Sequence, residues 1–198
     1  MEVGIYGKVP ENWIITKLKY VSQNLNNRRI PLESAERGRM TNRIYDYYGA
    51  SGVIDQVEDY IFDETTILVA EDGANLVSRN LQLVYIAIGK YWVNNHSHII
   101  KPKYNMNLYY LSHILDLVDY NPFITGSTQP KLTKDAFMST IVIRPSIEEQ
   151  NKVVEIIHEE IAPINLAISK AKQEIASIKE YREALITDLV TGKRSIPQ

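Results

Sequence analysis

From Val154 onward, apolar residues recur at alternating steps of three and four: Val154, Ile157, Ile161, Ile164, Ile168, Ala171, Ile175, Ile178, then Leu185 and Leu189. A mean step of 3.5 held over about five heptads is the signature of a coiled coil. One seam position, Arg182, lacks an apolar side chain, and Tyr181 beside it can cover the gap. The start is equally explicit. "RPSIEEQ" stops a strand at Pro145 and sets Ser146 three residues before Glu149, the S-x-x-E box that caps a helix. Gly192 stops the pattern, with Pro197 beyond it. Pro163 lies inside it and disfavours helix by about 3 kcal/mol. The sequence therefore predicts a short helix over 147–160, a break or kink, and a longer helix over 163–190.

Such a seam cannot face water along about 40 Å, the length of about 28 helical residues. It needs a partner helix. One reading packs it back on the chain's own globular part. The other pairs it with a second copy or a similar helix from another chain, which a long, narrow seam favours over a broad, short one.

Before residue 147 the pattern changes. "TTILVA" (65–70) and "LQLVYIAI" (81–88) are β-branched, apolar and bounded by Asp72-Gly73 and Gly89, so they read as buried strands. "HSHII" and "STIVIRP" are further strands. "NLYYLSHILDLV" spaces Leu108, Leu111, Leu115 and Val118 as a helix, with Asn107 as N-cap. The expected fold class is α+β: a domain over 1–146 large enough to bury its own core, followed by a helical dimerisation region over 147–198.

With 44% hydrophobic and 23% charged residues among 198, the chain has globular composition. No stretch has the length of a membrane span, and the start lacks a signal-peptide layout. Zero cysteines exclude a disulfide framework and thiolate metal sites, so the sequence reads as a cytoplasmic protein. The net charge of −2 argues at first against nucleic acid. It hides a local excess: residues 17–43 hold Lys17, Lys19, Arg28, Arg29, Arg37, Arg39 and Arg43 against Glu33 and Glu36. A solvated loop and an anion-binding loop both fit that run.

Catalytic motifs are missing. "YGASG" matches neither phosphate-binding glycine pattern, no G-x-S-x-G elbow exists, and Asn121-Pro122 continues as Phe-Ile rather than as a base-flipping motif. His96 and His98 share one strand face, but no third ligand is selected beyond a distant His113, so no metal site is assigned. Four polar loops do carry side chains suited to base edges and phosphates: "NLNNRR" (24–29), "RGRMTNR" (37–43), "YDYYGASG" (45–52) and "GSTQPK" (126–131). The expected base readers are Arg37, Arg39, Asn42, Arg43, Tyr47 and Gln129. Arg28, Arg29, Lys101 and Lys131 are expected on phosphates. The tyrosines of 45–48 either pack the domain with satisfied hydroxyls or face DNA.

Six segments in order, "GKVPENWIITKLKYVS", "YYGASGVID", "ILVAEDGANL", "GSTQPKL", "RPSIEEQNKVVEII" and "EYREALITDLVTGKRSIP", resemble the specificity subunits of type I restriction–modification systems. The resemblance implies a target recognition domain with a twisted β-sheet and short helices, followed by a helical spacer. In that family the unit normally occurs twice in one polypeptide, and the two spacers pair antiparallel. Here it occurs once, which implies a half-length form whose helix (Ile164, Ile168, Ala171, Ile175, Ile178, Leu185, Leu189) takes a second copy, or another half-subunit, as partner. A homodimer of that kind would read an interrupted palindrome on double-stranded DNA. The resemblance implies a non-catalytic chain without cofactors of its own. Modification subunits would bring S-adenosylmethionine for adenine methylation, and a restriction subunit would bring ATP and Mg for translocation and cleavage. Two other classes stay open on the residues alone: a coiled-coil protein–protein interaction module without DNA specificity, and a metal-dependent hydrolase using His96, His98 and His113.

Overall fold

The computed structural model describes residues 4–194, which fall into two compact units, the first ending at Lys152 and the second starting at Val153. In chain order the first unit runs β1 (Ile14–Lys17), α1 (Leu18–Val21), β2 (Ser22–Asn24), α2 (Ser34–Arg37), β3 (Tyr45–Gly49) and β4 (Gly52–Val57). It continues through β5 (Phe62–Asp63), β6 (Thr66–Ala70), α3 (Asn75–Ser78), β7 (Val84–Ala87), β8 (Lys90–Val93) and β9 (Ser97–Pro102). Then come α4 (Leu108–Leu117), β10 (Ile124–Thr125), β11 (Lys131–Leu132), α5 (Lys134–Met138) and β12 (Ile141–Arg144). The long helix α6 (Ile147–Val190) begins in the first unit and forms most of the second.

Two four-stranded sheets organise the first unit, in the orders β4-β3-β8-β5 and β2-β9-β6-β7, with the two-stranded ribbons β1-β12 and β10-β11 beside them. All pairs are antiparallel except β3 with β8. Side chains from both sheets share one core: Phe62, Tyr91 and Val93 from the first, Leu68, Ala87 and Ile99 from the second. Phe62 stacks on Tyr91 with centroids 5.3 Å apart, and the Tyr91 hydroxyl lies 2.8 Å from Thr66 Oγ1. Burial pushes that phenol up to about 12.

β6 is buried along its whole length because the other face of its sheet also lies under α4. That is why "TILVA" shows an unbroken apolar run rather than alternation. Leu111 and Leu115 of α4 are fully buried, worth about 1.5–3 kcal/mol each. Asn107 caps α4, its side chain accepting from Tyr110 N at 3.0 Å. The strand expected over 81–88 is shorter, Val84–Ala87, since Asn75 turns 75–81 into a loop by bonding Leu81 through both N–H and C=O.

The capping box forms as the sequence indicates: Ser146 N–H donates to Glu149 Oε2 at 3.0 Å, and Glu149 N–H to Ser146 Oγ at 3.2 Å. The fully buried Gln150 fastens the first turns. It accepts from Asn107 N and donates to the Asn105 and Pro145 carbonyls.

The break expected at Pro163 is absent. α6 runs unbroken from Ile147 to Val190 with Pro163 inside it. A proline lacks one N–H and so removes one backbone bond, while the neighbouring bonds on both sides hold the helix together. The helix ends as expected, with Gly192 at φ +71° and its N–H on the Leu189 carbonyl; Pro197 lies outside the described residues.

Candidate nucleic-acid interface

The tyrosine-rich segment 45–52 forms a hairpin closed by Ala50-Ser51, and Gly52 sits at φ +89° where a Cβ would meet the Tyr85 ring at 2.8 Å. The register slips at Tyr47/Tyr48, leaving Ile54 as the extra residue of a bulge. Tyr47, expected as a base reader, is only 1% exposed, and its hydroxyl accepts from Leu32 N–H at 3.1 Å. The packing reading of these rings holds for Tyr47, and its ring has no free edge to offer a duplex. Its neighbour in space is Arg37, whose guanidinium carbon lies 4.6 Å from the ring centroid.

Arg37 and Arg43 both close on Asp55: Arg37 Nε donates to Asp55 Oδ2 at 2.8 Å, and Arg43 Nη2 pairs with Asp55 Oδ1. Arg43 Nε also donates to the Gln56 carbonyl. One carboxylate on β4 thus clamps the loop that joins α2 to β3. Arg39 and Asn42, between those two arginines, are exposed, and Arg39 forms no ion pair among the described residues.

The four expected phosphate contacts are held in pairs. Arg28 and Lys101 share Glu64, at 2.5 and 2.7 Å. Hydrogen bonds from Lys101 and Arg28 hold that carboxyl below the usual range. Arg29 and Lys131 share Glu71, which is buried. Burial alone would raise the Glu71 pKa; the hydrogen bond from Arg29 and the surrounding positive charge outweigh it, and the carboxyl stays ionised below its ordinary range. Arg29 Nη1 donates further to the Ser97 carbonyl at 2.8 Å. Glu71 therefore ties together three loops, 24–29, 94–97 and 126–131.

His98 completes this knot. Its Nε2 lies 2.8 Å from the Leu132 carbonyl and its Nδ1 2.9 Å from Asn26 Nδ2, while its ring stacks on Phe137. Burial pushes its pKa down to about 4, against the pull of the Glu71 charge. His96 is instead half-buried and pairs with Asp72 at 2.9 Å. The two histidines do not converge: one serves the core and the other a loop. Among the described residues no three His, Asp or Glu side chains are placed to hold a metal ion, and no helix is long and apolar enough to cross a membrane.

The polar loops lie at opposite ends of the domain. Gly49, at the end of β3, bonds Ser97; Ala70 pairs with Ser97; and Gly73 N–H donates to Pro130, so Gln129 belongs to that end. Arg43 and Ile44 precede the start of β3, where Ile44 N–H donates to Val57. Six residues of strand at roughly 3.3 Å each put about 20 Å between the two sites. The sequence groups Gln129 with Arg39 and Asn42; the structure does not bring them together.

Sequence reasoning missed the carboxylates Asp55, Glu64 and Glu71 altogether. Asp55 is shared by two arginines of one loop, while Glu64 and Glu71 each join bases from segments far apart in the chain, and the sequence signal was the excess of arginine and lysine that they offset.

In the second unit Val154 is buried and Ile157 half-buried, and the seam is open from Ile161 onward. Ile164, Ile168, Ala171, Ile175 and Ile178 are exposed, as is Leu189, and Leu185 is half-buried. Ile178, at 67%, is as exposed as a surface residue.

Against known proteins, residues 10–180 match the family model described as "Type I restriction modification DNA specificity domain". A putative type I restriction enzyme specificity subunit of Haemophilus influenzae, S.HindORF215P, is 35% identical over 141 residues, which is 71% of this chain and 35% of that protein. The S subunit of a type I restriction–modification system from M. genitalium superposes with a TM-score of 0.60 at 12% identity, over 77% of this chain and 41% of that one. The HsdS subunit of Thermoanaerobacter tengcongensis gives 0.58 at 13%, over 92% and 46%. The chain thus spans a third to a half of the proteins it matches. With 171 of its residues under one family model, an α+β domain and a long C-terminal helix, the chain belongs to the type I restriction–modification DNA specificity family.

Proposed function

We propose that this chain is a half-length specificity subunit: a non-catalytic, cytoplasmic DNA-reading unit that pairs through α6 with a second copy and directs partner subunits to their target. The observation that carries this reading is the open apolar seam of α6, on which Ile164, Ile168, Ile175 and Ile178 are exposed. An antiparallel pair of such helices covers both seams and holds two recognition domains in opposite orientation. The site is then an interrupted palindrome, with α6 setting the unread gap.

In this reading modification subunits carry S-adenosylmethionine and methylate adenine, and a restriction subunit carries ATP and Mg for cleavage. This chain supplies sequence choice. Its base readers are the exposed Arg39 and Asn42, with Arg37 and Arg43 anchoring their loop to Asp55, and Gln129 serves a separate contact. Arg prefers guanine and Asn prefers adenine in the major groove. Removing Arg39 should cost about 1–3 kcal/mol and relax one position of the site.

The test is the pattern of adenine methylation in DNA from cells that express the chain with its modification subunits. A split palindromic motif is expected, and a seven-residue insertion in α6 should lengthen its gap. An asymmetric motif would replace the homodimer with a mixed pair of half-subunits. No motif at all would remove the DNA-reading role and leave a protein-interaction module.

A further inference from the structure

One corner of the domain, where β2 forms the sheet edge beside β9, is not explained by the polar loops. Gln23 of β2 pairs with Lys101 of β9, and Lys103 N–H donates to the Val21 carbonyl, so the chain after β9 runs along α1. Lys103 Nζ donates to the Lys19 backbone carbonyl at 3.0 Å, which brings Lys103 against α1, while Lys101 on the same strand end reaches Glu64. Lys101 is the last but one residue of β9 and Lys103 follows its end, with about 7 Å between their backbones.

Two exposed tyrosines adjoin these lysines in the chain. Tyr104 is 94% exposed and Tyr20 is 64% exposed, with Lys19 Nζ 5.0 Å from the Tyr20 centroid. Among the described residues one carboxylate, Glu64, is paired to this set, through Lys101. A chain with net charge −2 thus gathers three lysines where α1 meets the end of β9, with one paired acid among the described residues. A tyrosine left almost wholly in water contributes nothing to the fold.

The corner also has the right place. It lies where β9 ends, and Arg28 reaches the same Glu64 while stacking over Phe62 of β5. Phe62 pairs with Tyr91 at the start of β8, which runs beside the start of β3. The loop with Arg39 and Asn42 leads into that start, so it belongs to the same end of the two sheets as the lysines. At this end Lys101 and Arg28 share Glu64, and Lys19 and Lys103 form no ion pair among the described residues; at the opposite end Arg29 and Lys131 share Glu71.

We propose that Lys19, Lys101 and Lys103, flanked by Tyr20 and Tyr104, form the surface on which the phosphate backbone of duplex DNA rests. The proposal rests on the DNA-reading role given above and assigns the end of the domain that performs it. Ammonium groups neutralise phosphates and tyrosine hydroxyls donate to phosphate oxygens, neither with base preference. These contacts fix the duplex while the Arg39 loop reads it.

The test uses the full chain assembled with its modification subunits and compares wild type with a Lys19→Gln, Lys101→Gln, Lys103→Gln triple variant. Dissociation constants are measured across salt concentration for a duplex with the methylated motif and for a random duplex. The triple variant should weaken both duplexes by the same factor, flatten the log–log salt slope by about one per lysine, and leave the motif unchanged. Tyr104→Ser, at a ring that packs on nothing, should give a smaller uniform loss.

An unchanged slope beside a wild type that methylates a defined motif overturns the surface and leaves the DNA-reading role standing. Loss of the modification subunits from the purified triple variant also overturns it, since the corner is then a protein contact. A wild type without any motif ends the DNA-reading role and the proposal with it.

Discussion

β6 and α6 both carry runs of isoleucine, leucine and valine, and the two put them to opposite ends. Ile67, Leu68 and Val69 are fully buried between a second sheet and α4. Ile164, Ile168, Ile175 and Ile178 are exposed on α6 among the described residues. The first unit has what a domain needs to fold alone: a shared core between sheets, a buried carboxylate with its paired bases, and capped helices. The second has propensity and a seam but no second layer. The difference teaches that folding and function are divided along the chain, since a seam of this kind gains its stabilisation only on association.

The sharpest way to break that contrast is to put charge into the seam. Ile168→Lys with Ile175→Lys would bury two uncompensated ammonium groups in a paired helix, at about 3–5 kcal/mol each. Light scattering should then report half the mass of wild type, with association weakened about a thousandfold or more. The two tryptophans, Trp13 and Trp92, both lie in the first unit, and their emission should not change. A wild type that is already monomeric would refute the pairing.

The converse change strikes the first unit. Phe137 is fully buried, stacked on His98 with centroids 4.6 Å apart. Phe137→Ala should cost about 3–5 kcal/mol and lower the melting temperature seen by tryptophan emission by about 10 °C. Dimer mass, read at low temperature, should stay as in wild type. If the two units were one cooperative body, the mass would fall as well.

Acid should separate the units in the same direction. The folded-state pKa of His98 is pushed down to about 4 from an ordinary 6.5, so the unfolded chain binds the extra proton first as pH falls. Its contribution is complete above about pH 6.5 and is lost progressively toward pH 4, amounting to about 3 kcal/mol. The seam buries no titrating group, so far-UV helicity should survive a drop to pH 4.5 better than tryptophan emission. His98→Asn should flatten the pH dependence of the emission melt.

Much of this contrast was legible before any coordinates. The heptad steps, the Ser146–Glu149 box, Asn107 as a cap and the "TILVA" strand are all local signals, set by residues within one or two turns of each other. What stayed hidden is non-local. Asp55 meets Arg37 and Arg43 only because β4 folds back on β3 with a bulge, and nothing in the order of residues fixes that register. Tyr47 and Tyr48 are indistinguishable in composition, yet the strand turns Tyr47 inward and leaves Tyr48 half-buried. Basic runs are read easily from sequence, but their neutralising partners, Glu64 and Glu71, arrive from strands 36 and 42 residues away. The bases of the candidate site were therefore legible in the sequence, and the carboxylates that hold them were not.

The smallest effect bears on where one region becomes the other. Ser146 and Glu149 cap α6 by reciprocal bonds, and the helix's first turns, through Lys152, belong to the first unit. Ser146→Ala removes one acceptor from the Glu149 N–H and should cost about 1 kcal/mol. If the start of α6 is a part of the first fold, that loss appears in tryptophan emission as a fall of about 2–4 °C, because Trp13 Nε1 donates to Glu149 Oε1 at 3.3 Å and shares the disturbed turn. Dimer mass and association strength should not change, since the seam begins further along. A fall in association with no change in emission would move the boundary back toward residue 146 and make the cap a property of the spacer alone.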